Sequence, residues 1–246
     1  MTRSSRRAGF TLIELMIVVA LIAVIAAIAI PRMLSARLSA NEAAAISTLR
    51  SVATAQSQIR SSGAIDTDLD GAGEYAYFGE LSGAQPVRVS AAGVPAAGVV
   101  GTDELVPAIL SSQFGRVANR FVSRQGYLYQ MWLPAPTGAG GLVGGVPEDL
   151  NGGKLAAPFP DANNGEILWC CYAWPVEVGK SGNRAFFTSH EGEMLQFLNR
   201  SLTPYTSTTK TPGFSEAFAV PNDMSSALRI GVVGGTDNTV WTPVQI

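Results

Sequence analysis

From Phe10 to Ile30 the chain is apolar at nearly every position, with Glu14 as its one charge. At about 1.5 Å rise per residue such a run covers roughly 31 Å as a helix, which matches a hydrocarbon core of about 30 Å and predicts a membrane span. Beyond Pro31 the pattern changes rather than stops. Leu38, Ala45, Leu49, Val52, Gln56 and Ile59 recur at helical spacing on one face, with Asn41, Glu42, Arg50 and Gln58 off it. Ser62-Gly63 supplies a stop signal. One helix over residues 10–62 is about 80 Å long, with its first half in lipid and its second half packed by the apolar stripe.

The rest of the chain switches to shorter periods. Gly126 to Leu133 (GYLYQMWL) alternates so that Tyr127, Tyr129, Met131 and Leu133 share a face, which predicts a strand. Ile167 to Val176 is almost continuously apolar and aromatic, and Arg184 to Leu198 predicts a hairpin turning at His190-Glu191-Gly192. Leu228 to Val233 and Val240 to Ile246 are further strand candidates, Thr102 to Gln113 predicts a short helix capped by Thr102 or Asp103, and Gly138 to Gly145 predicts a flexible loop. A helix followed by antiparallel strands gives an α+β fold, with the sheet in residues 63–246.

Charge gives the span a direction. Arg3, Arg6 and Arg7 precede it and no acidic residue does, so the positive-inside rule predicts a cytoplasmic amino terminus and an extracytoplasmic globular part. Thirteen Leu, Ile, Val and Phe residues lie between Phe10 and Ile30. At about −0.5 kcal/mol each they contribute roughly −6 kcal/mol to insertion, against about +3 kcal/mol for one carboxylate, so the span tolerates Glu14. Two readings leave Glu14 without a role: a secretory signal peptide cut after Ala27-Ile28-Ala29, which would release a soluble binding domain, and an uncleaved signal anchor.

A third reading starts from the stretch Arg6-Arg7-Ala8-Gly9-Phe10-Thr11-Leu12-Ile13-Glu14. It resembles the signal of the type IV pilin and type II secretion pseudopilin superfamily. The resemblance implies a leader over residues 1–9, removed by a prepilin peptidase between Gly9 and Phe10, with methylation of the new amino terminus at Phe10. It further implies a polymerisation helix over residues 10–30, its amphipathic continuation over residues 31–62 packed on an antiparallel sheet, and assembly by an inner-membrane machinery into a pilus or a periplasmic pseudopilus. Glu14 becomes the fifth mature residue, the position of the family's Glu, which is thought to pair with the amino terminus of a neighbouring subunit and to set register. The physics agrees, because a carboxylate in low dielectric gains most from a cation at its own depth. Pro31 falls where pilins often carry a helix-breaking Pro and is expected to kink the helix or melt a turn.

Composition narrows the classes. A net charge of −2 with 15% charged residues leaves no basic footprint for nucleic acid, and 47% hydrophobic residues exclude a disordered chain. Asp66, Asp68, Asp70 and Gly71 fit positions 1, 3, 5 and 6 of an EF-hand-like Ca²⁺ loop, but position 12 is Tyr77 and the nearest carboxylates are Glu74 and Glu80. No other cofactor is implied. Cys170 and Cys171 are adjacent and so point to opposite faces of a strand, which predicts one buried and one half-covered thiol. His190 is expected in a solvated turn. Gly179-Lys180-Ser181 resembles the end of a P-loop, but Trp174 stands where its first Gly belongs. A lone His leaves Ser and Cys without an activating base, so enzyme activity is not expected.

Overall fold

A computed structural model describes residues 9–244. The arginines at positions 3, 6 and 7 and the last two residues of the 240–246 strand candidate lie outside the described residues. Helix α1 (Leu12–Ser62) starts where Thr11 caps it and ends where Gly63 turns left-handed at φ 61°, a conformation that favours glycine. It runs unbroken through Pro31, so no turn is melted there; the missing proline N–H leaves the Ala27 carbonyl without its usual donor.

The two halves of α1 have different surroundings. Up to Arg37 almost every residue is exposed, whereas Ala45, Leu49, Val52, Ala55 and Ile59 are buried against a sheet. Gln56 belongs to the buried face as well, because its amide donates to the Ala76 carbonyl at 2.7 Å and accepts from the Ala76 N–H at 3.0 Å. Asn41 and Glu42 were expected off this face and are not. The Asn41 amide donates to the Ser181 carbonyl at 2.8 Å, and Glu42, 7% exposed, accepts from Asn183 N–H and pairs with Arg184 at 2.7 Å. Period alone assigns charged residues to solvent; a tertiary cation overrides it.

The sheet has eight antiparallel strands in the order β10 (Thr242–Pro243), β9 (Met194–Phe197), β8 (Ala185–Ser189), β7 (Cys170–Pro175), β5 (Tyr127–Thr137), β4 (Phe121–Arg124) and β3 (Val117–Ala118), with β6 (Val143–Pro147) also paired to β5. The hairpin β8–β9 turns at His190 and Glu191 as its sequence predicts. A two-stranded ribbon, β1 (Val89–Ser90) and β2 (Pro95–Ala96), and two single-turn helices, α2 (Phe78–Leu81) and α3 (Ala162–Gly165), complete the elements that the sheet supports.

Both faces of this sheet are covered. Tyr127, Tyr129, Met131, Leu133, Cys171, Ala173 and Phe186 form one core with α1. Leu128, Cys170, Tyr172, Trp174 and Phe187 form a second with Tyr205, Phe218, Met224 and Trp241 from the carboxyl-terminal segment. Residues 199–241 therefore make a third layer with little regular structure, tied down by polar groups. Trp174 Nε1 donates to the Ser207 carbonyl at 2.8 Å, and the Tyr172 hydroxyl donates to the Phe214 carbonyl at 2.9 Å while accepting from Ala217 N–H at 3.0 Å. Two-sided burial explains the continuous apolar run of β7. It also corrects the thiols, since Cys170 and Cys171 point to opposite faces as expected yet are both fully buried.

Other expectations shift too. Thr102 to Gln113 forms no α-helix; a 3₁₀ turn covers Ser112–Gly115. The side chains of Asp103 and Glu104 accept from the N–H groups of Val99 and Gly101 and so close the turn before them, leaving no cap for a helix after them. Leu228 to Val233 forms isolated bridges to Phe218 and Trp241 instead of a ladder, and part of the glycine-rich stretch, from Val143, is strand β6. His190 is half-buried, and burial holds its imidazole below the usual range.

Candidate functional site

The first candidate is the start of α1. Gly9 and Phe10 precede the helix, Phe10 is 88% exposed, and nothing lies within 4 Å of where a Gly9 side chain would be. Both residues therefore lie outside the helix. Thr11 then caps the helix with φ −79° and ψ 151°, and Glu14 reciprocates. Thr11 N–H donates to Glu14 Oε2 at 2.9 Å, the Thr11 hydroxyl donates to the same oxygen at 2.7 Å, and Glu14 N–H donates to the Thr11 hydroxyl at 3.2 Å. This is a capping box, in which two otherwise unsatisfied helix amides find partners. It holds the Glu14 carboxylate one residue from the Phe10 nitrogen.

Among the described residues, the apolar run that follows meets no other part of the chain. Leu12, Ile13, Leu15 and Ile17 are each more than half exposed, and Ile28 and Ile30 are too. The helix is long and apolar enough to cross a membrane. A contiguous exposed apolar surface of this length needs lipid or other helices to cover it.

The second candidate is acidic. Carboxylate oxygens of Asp66, Asp68 and Asp70 come within 4.8 Å of one another, as the spacing predicts. Two of the three are spent on their own loop: Asp66 accepts from Leu69 N–H at 2.7 Å and from Gly71 N–H at 3.0 Å, and Asp70 accepts from Ala72 N–H at 2.8 Å. Asp68 accepts from the Asn163 amide at 3.2 Å. Among the described residues none closes the set in the EF-hand manner, because Glu74 and Glu80 are buried against Arg88 at 3.0 and 3.1 Å and Tyr77 donates to the Val146 carbonyl. Glu166, far away in sequence, does approach. Burial and the carboxylates of Asp70 and Asp68 push its carboxyl group up. Sequence spacing could not have found it, since α3 and the residues after it bring it in through the tertiary fold.

The thiols, His190 and the glycine-lysine-serine stretch form no constellation. Cys170 and Cys171 lie in the core, burial pushes both thiols up, and Lys180 pairs on the surface with Glu177 at 2.5 Å. Another perturbed carboxyl outside these groups is Glu148. It is fully buried, accepts from Gly79 N–H at 2.6 Å and Gly153 N–H at 2.8 Å, and is pushed up to about 8 chiefly by desolvation.

Comparison with known proteins bears on the first candidate. Residues 4–30 match the model of the prokaryotic N-terminal methylation motif. Over 106 residues, covering 38% of this chain, the sequence is 40% identical to the type IV major pilin protein PilA of Myxococcus xanthus (strain DK1622). That match spans 47% of the relative, or about half its length. No solved structure matches the chain. The amino-terminal part of this chain is thus similar to type IV pilins in its methylation motif and in its partial identity with a major pilin, and that motif heads a long apolar helix laid on an antiparallel sheet.

Proposed function

We propose that the chain is a structural subunit of a type IV pilus-like filament. It enters the inner membrane as a single-pass precursor with a cytoplasmic amino terminus. A prepilin peptidase cuts between Gly9 and Phe10, Phe10 is methylated, and the helix then leaves lipid for a bundle of like helices, with the globular domain as the outer surface. The observation that carries this reading is the exposed apolar half of α1, headed by a matched methylation motif and unpartnered in its own chain. The new Phe10 ammonium and the Glu14 carboxylate lie at nearly one depth, so each is the natural counter-ion of the other, within a chain or between neighbours. A pseudopilus of a type II secretion system would use the same helix in the same way.

Photo-activated cross-linking tests the assembly step. A cross-linking residue at position 20 or 26, on the exposed helix, is expected to give ladders at multiples of the subunit mass in sheared filaments. A monomer band alone in material that retains the span would overturn the filament and leave a membrane-anchored monomer.

A further inference from the structure

Arg3, Arg6 and Arg7 flank the inner end of the span, and all three belong to the leader that the proposed cut removes. The side-chain cations that stay beside the span are at its other end. Directly after Ile30 the chain reads Pro31-Arg32-Met33-Leu34-Ser35-Ala36-Arg37, helical throughout and exposed at every residue. The globular domain first touches the helix beyond it, at the half-buried Leu38 and then at Asn41 and Glu42. Roughly 10 Å of bare helix therefore separates the hydrocarbon edge from the domain.

The charge on this collar is one-sided. Neither Arg32 nor Arg37 has an ion-pair partner among the described residues, and no acidic residue occurs between Glu14 and Glu42. Helical side chains tilt toward the amino terminus, which here is toward the membrane. The Arg32 Cα lies about 3 Å beyond Ile30 and the Arg37 Cα about 10 Å beyond it, and long basic side chains extend their heads several ångström along such a surface. Both guanidinium groups thus reach the headgroup zone, roughly 5–8 Å outside the hydrocarbon. Met33 and Leu34, 58% and 44% exposed, supply apolar side chains for the boundary between the two.

We propose that Arg32 and Arg37 form a collar that binds the phosphates of anionic phospholipids on the outer side of the membrane. Once the leader is gone, these are the side-chain cations that hold the depth of the span, at the end from which the helix leaves. The inference rests on the membrane-spanning reading above and names the lipid partner of the segment that follows the span. Each arginine is expected to favour an anionic over a zwitterionic surface roughly fivefold.

The test is carbon–phosphorus dipolar dephasing of Cζ-labelled arginine in the processed chain, which starts at Phe10 and so lacks Arg3, Arg6 and Arg7, reconstituted in phosphatidylcholine bilayers with and without phosphatidylglycerol. The parent and Arg50→Gln, which changes an exposed arginine above the collar, are expected to show guanidinium dephasing that is larger with phosphatidylglycerol. The double variant Arg32→Gln/Arg37→Gln is expected to lose it. Equal dephasing in the double variant, or none in the parent, would overturn the proposal. If the parent shows none and the double variant fails to polymerise, the arginines serve carboxylates of a neighbouring copy instead. Carbonate-resistant membrane association is measured alongside: a chain that does not insert overturns the membrane reading, whereas one that inserts without dephasing overturns the lipid collar alone.

Discussion

Glu14 is one carboxylate in an otherwise apolar helix, and its surroundings explain how it is tolerated. Thr11 supplies two donors to one of its oxygens, so part of its hydrogen-bonding need is met within the chain. The charge itself is not neutralised by this arrangement, which leaves a counter-ion to be found. Glu14→Ala is expected to abolish filaments while membrane insertion and cleavage persist, since removing one carboxylate favours insertion; electron microscopy of sheared material checks it, and intact filaments would refute the register role. Glu148 makes a second prediction at this scale. Its folded pKa of about 8 lies above the ordinary carboxylate range, so the folded state binds a proton that the unfolded state has released. The sign follows: this group's contribution is favourable below about pH 4.5, and stability falls as pH rises from there toward 8. Glu148→Gln keeps an acceptor for the Gly79 and Gly153 amides and carries no charge. It is expected to raise Tm by several degrees at pH 8 and to change it little at pH 4.5 in thermal unfolding of the folded domain. An equal shift at both values would rule out titration at this site.

Elements were legible where residues of one kind recurred along one face. Tyr127, Tyr129, Met131 and Leu133 all face α1, as their alternation predicts, and the stripe from Ala45 to Ile59 packs against them. The end of α1 was readable because Gly63 has a job that only its backbone freedom suits. What failed was decided by distant partners. Glu42 looked solvated by period, yet Arg184 lies 142 positions away in sequence and its guanidinium donates to the Glu42 carboxylate at 2.8 Å. Asp103 looked like a helix cap and instead closes the turn that precedes it. The layer over residues 199–241 was invisible because its order comes from side chains holding loop carbonyls, as Arg229 does with Phe218, which has no period. The Glu42 clamp also fixes where α1 stops being free. Glu42→Ala leaves Arg184 with Gln196 as its one side-chain acceptor among the described residues and is expected to destabilise the domain by about 1–3 kcal/mol. Hydrogen exchange should then quicken over residues 38–45 and stay unchanged near Ile59; uniform protection along the helix would mean that the clamp is dispensable.

At the scale of the molecule, three layers and one projecting helix divide the labour. The sheet is buried on both sides, by α1 and by the carboxyl-terminal layer, so the domain needs no further partner to complete its cores. The exposed half of α1 has no such cover and is the part of the chain that depends on other molecules. The motif that heads it is readable from nine residues, from Arg6 to Glu14, and the same stretch carries the Thr-x-x-Glu spacing of the capping box that Thr11 and Glu14 form. Everything proposed about assembly depends on the chain beginning at Phe10 once mature. Intact mass and amino-terminal sequencing of the protein extracted from membranes test that most directly. A methylated amino terminus at Phe10 is predicted; a start at Ile30 would place Glu14 in a discarded peptide and contradict the account.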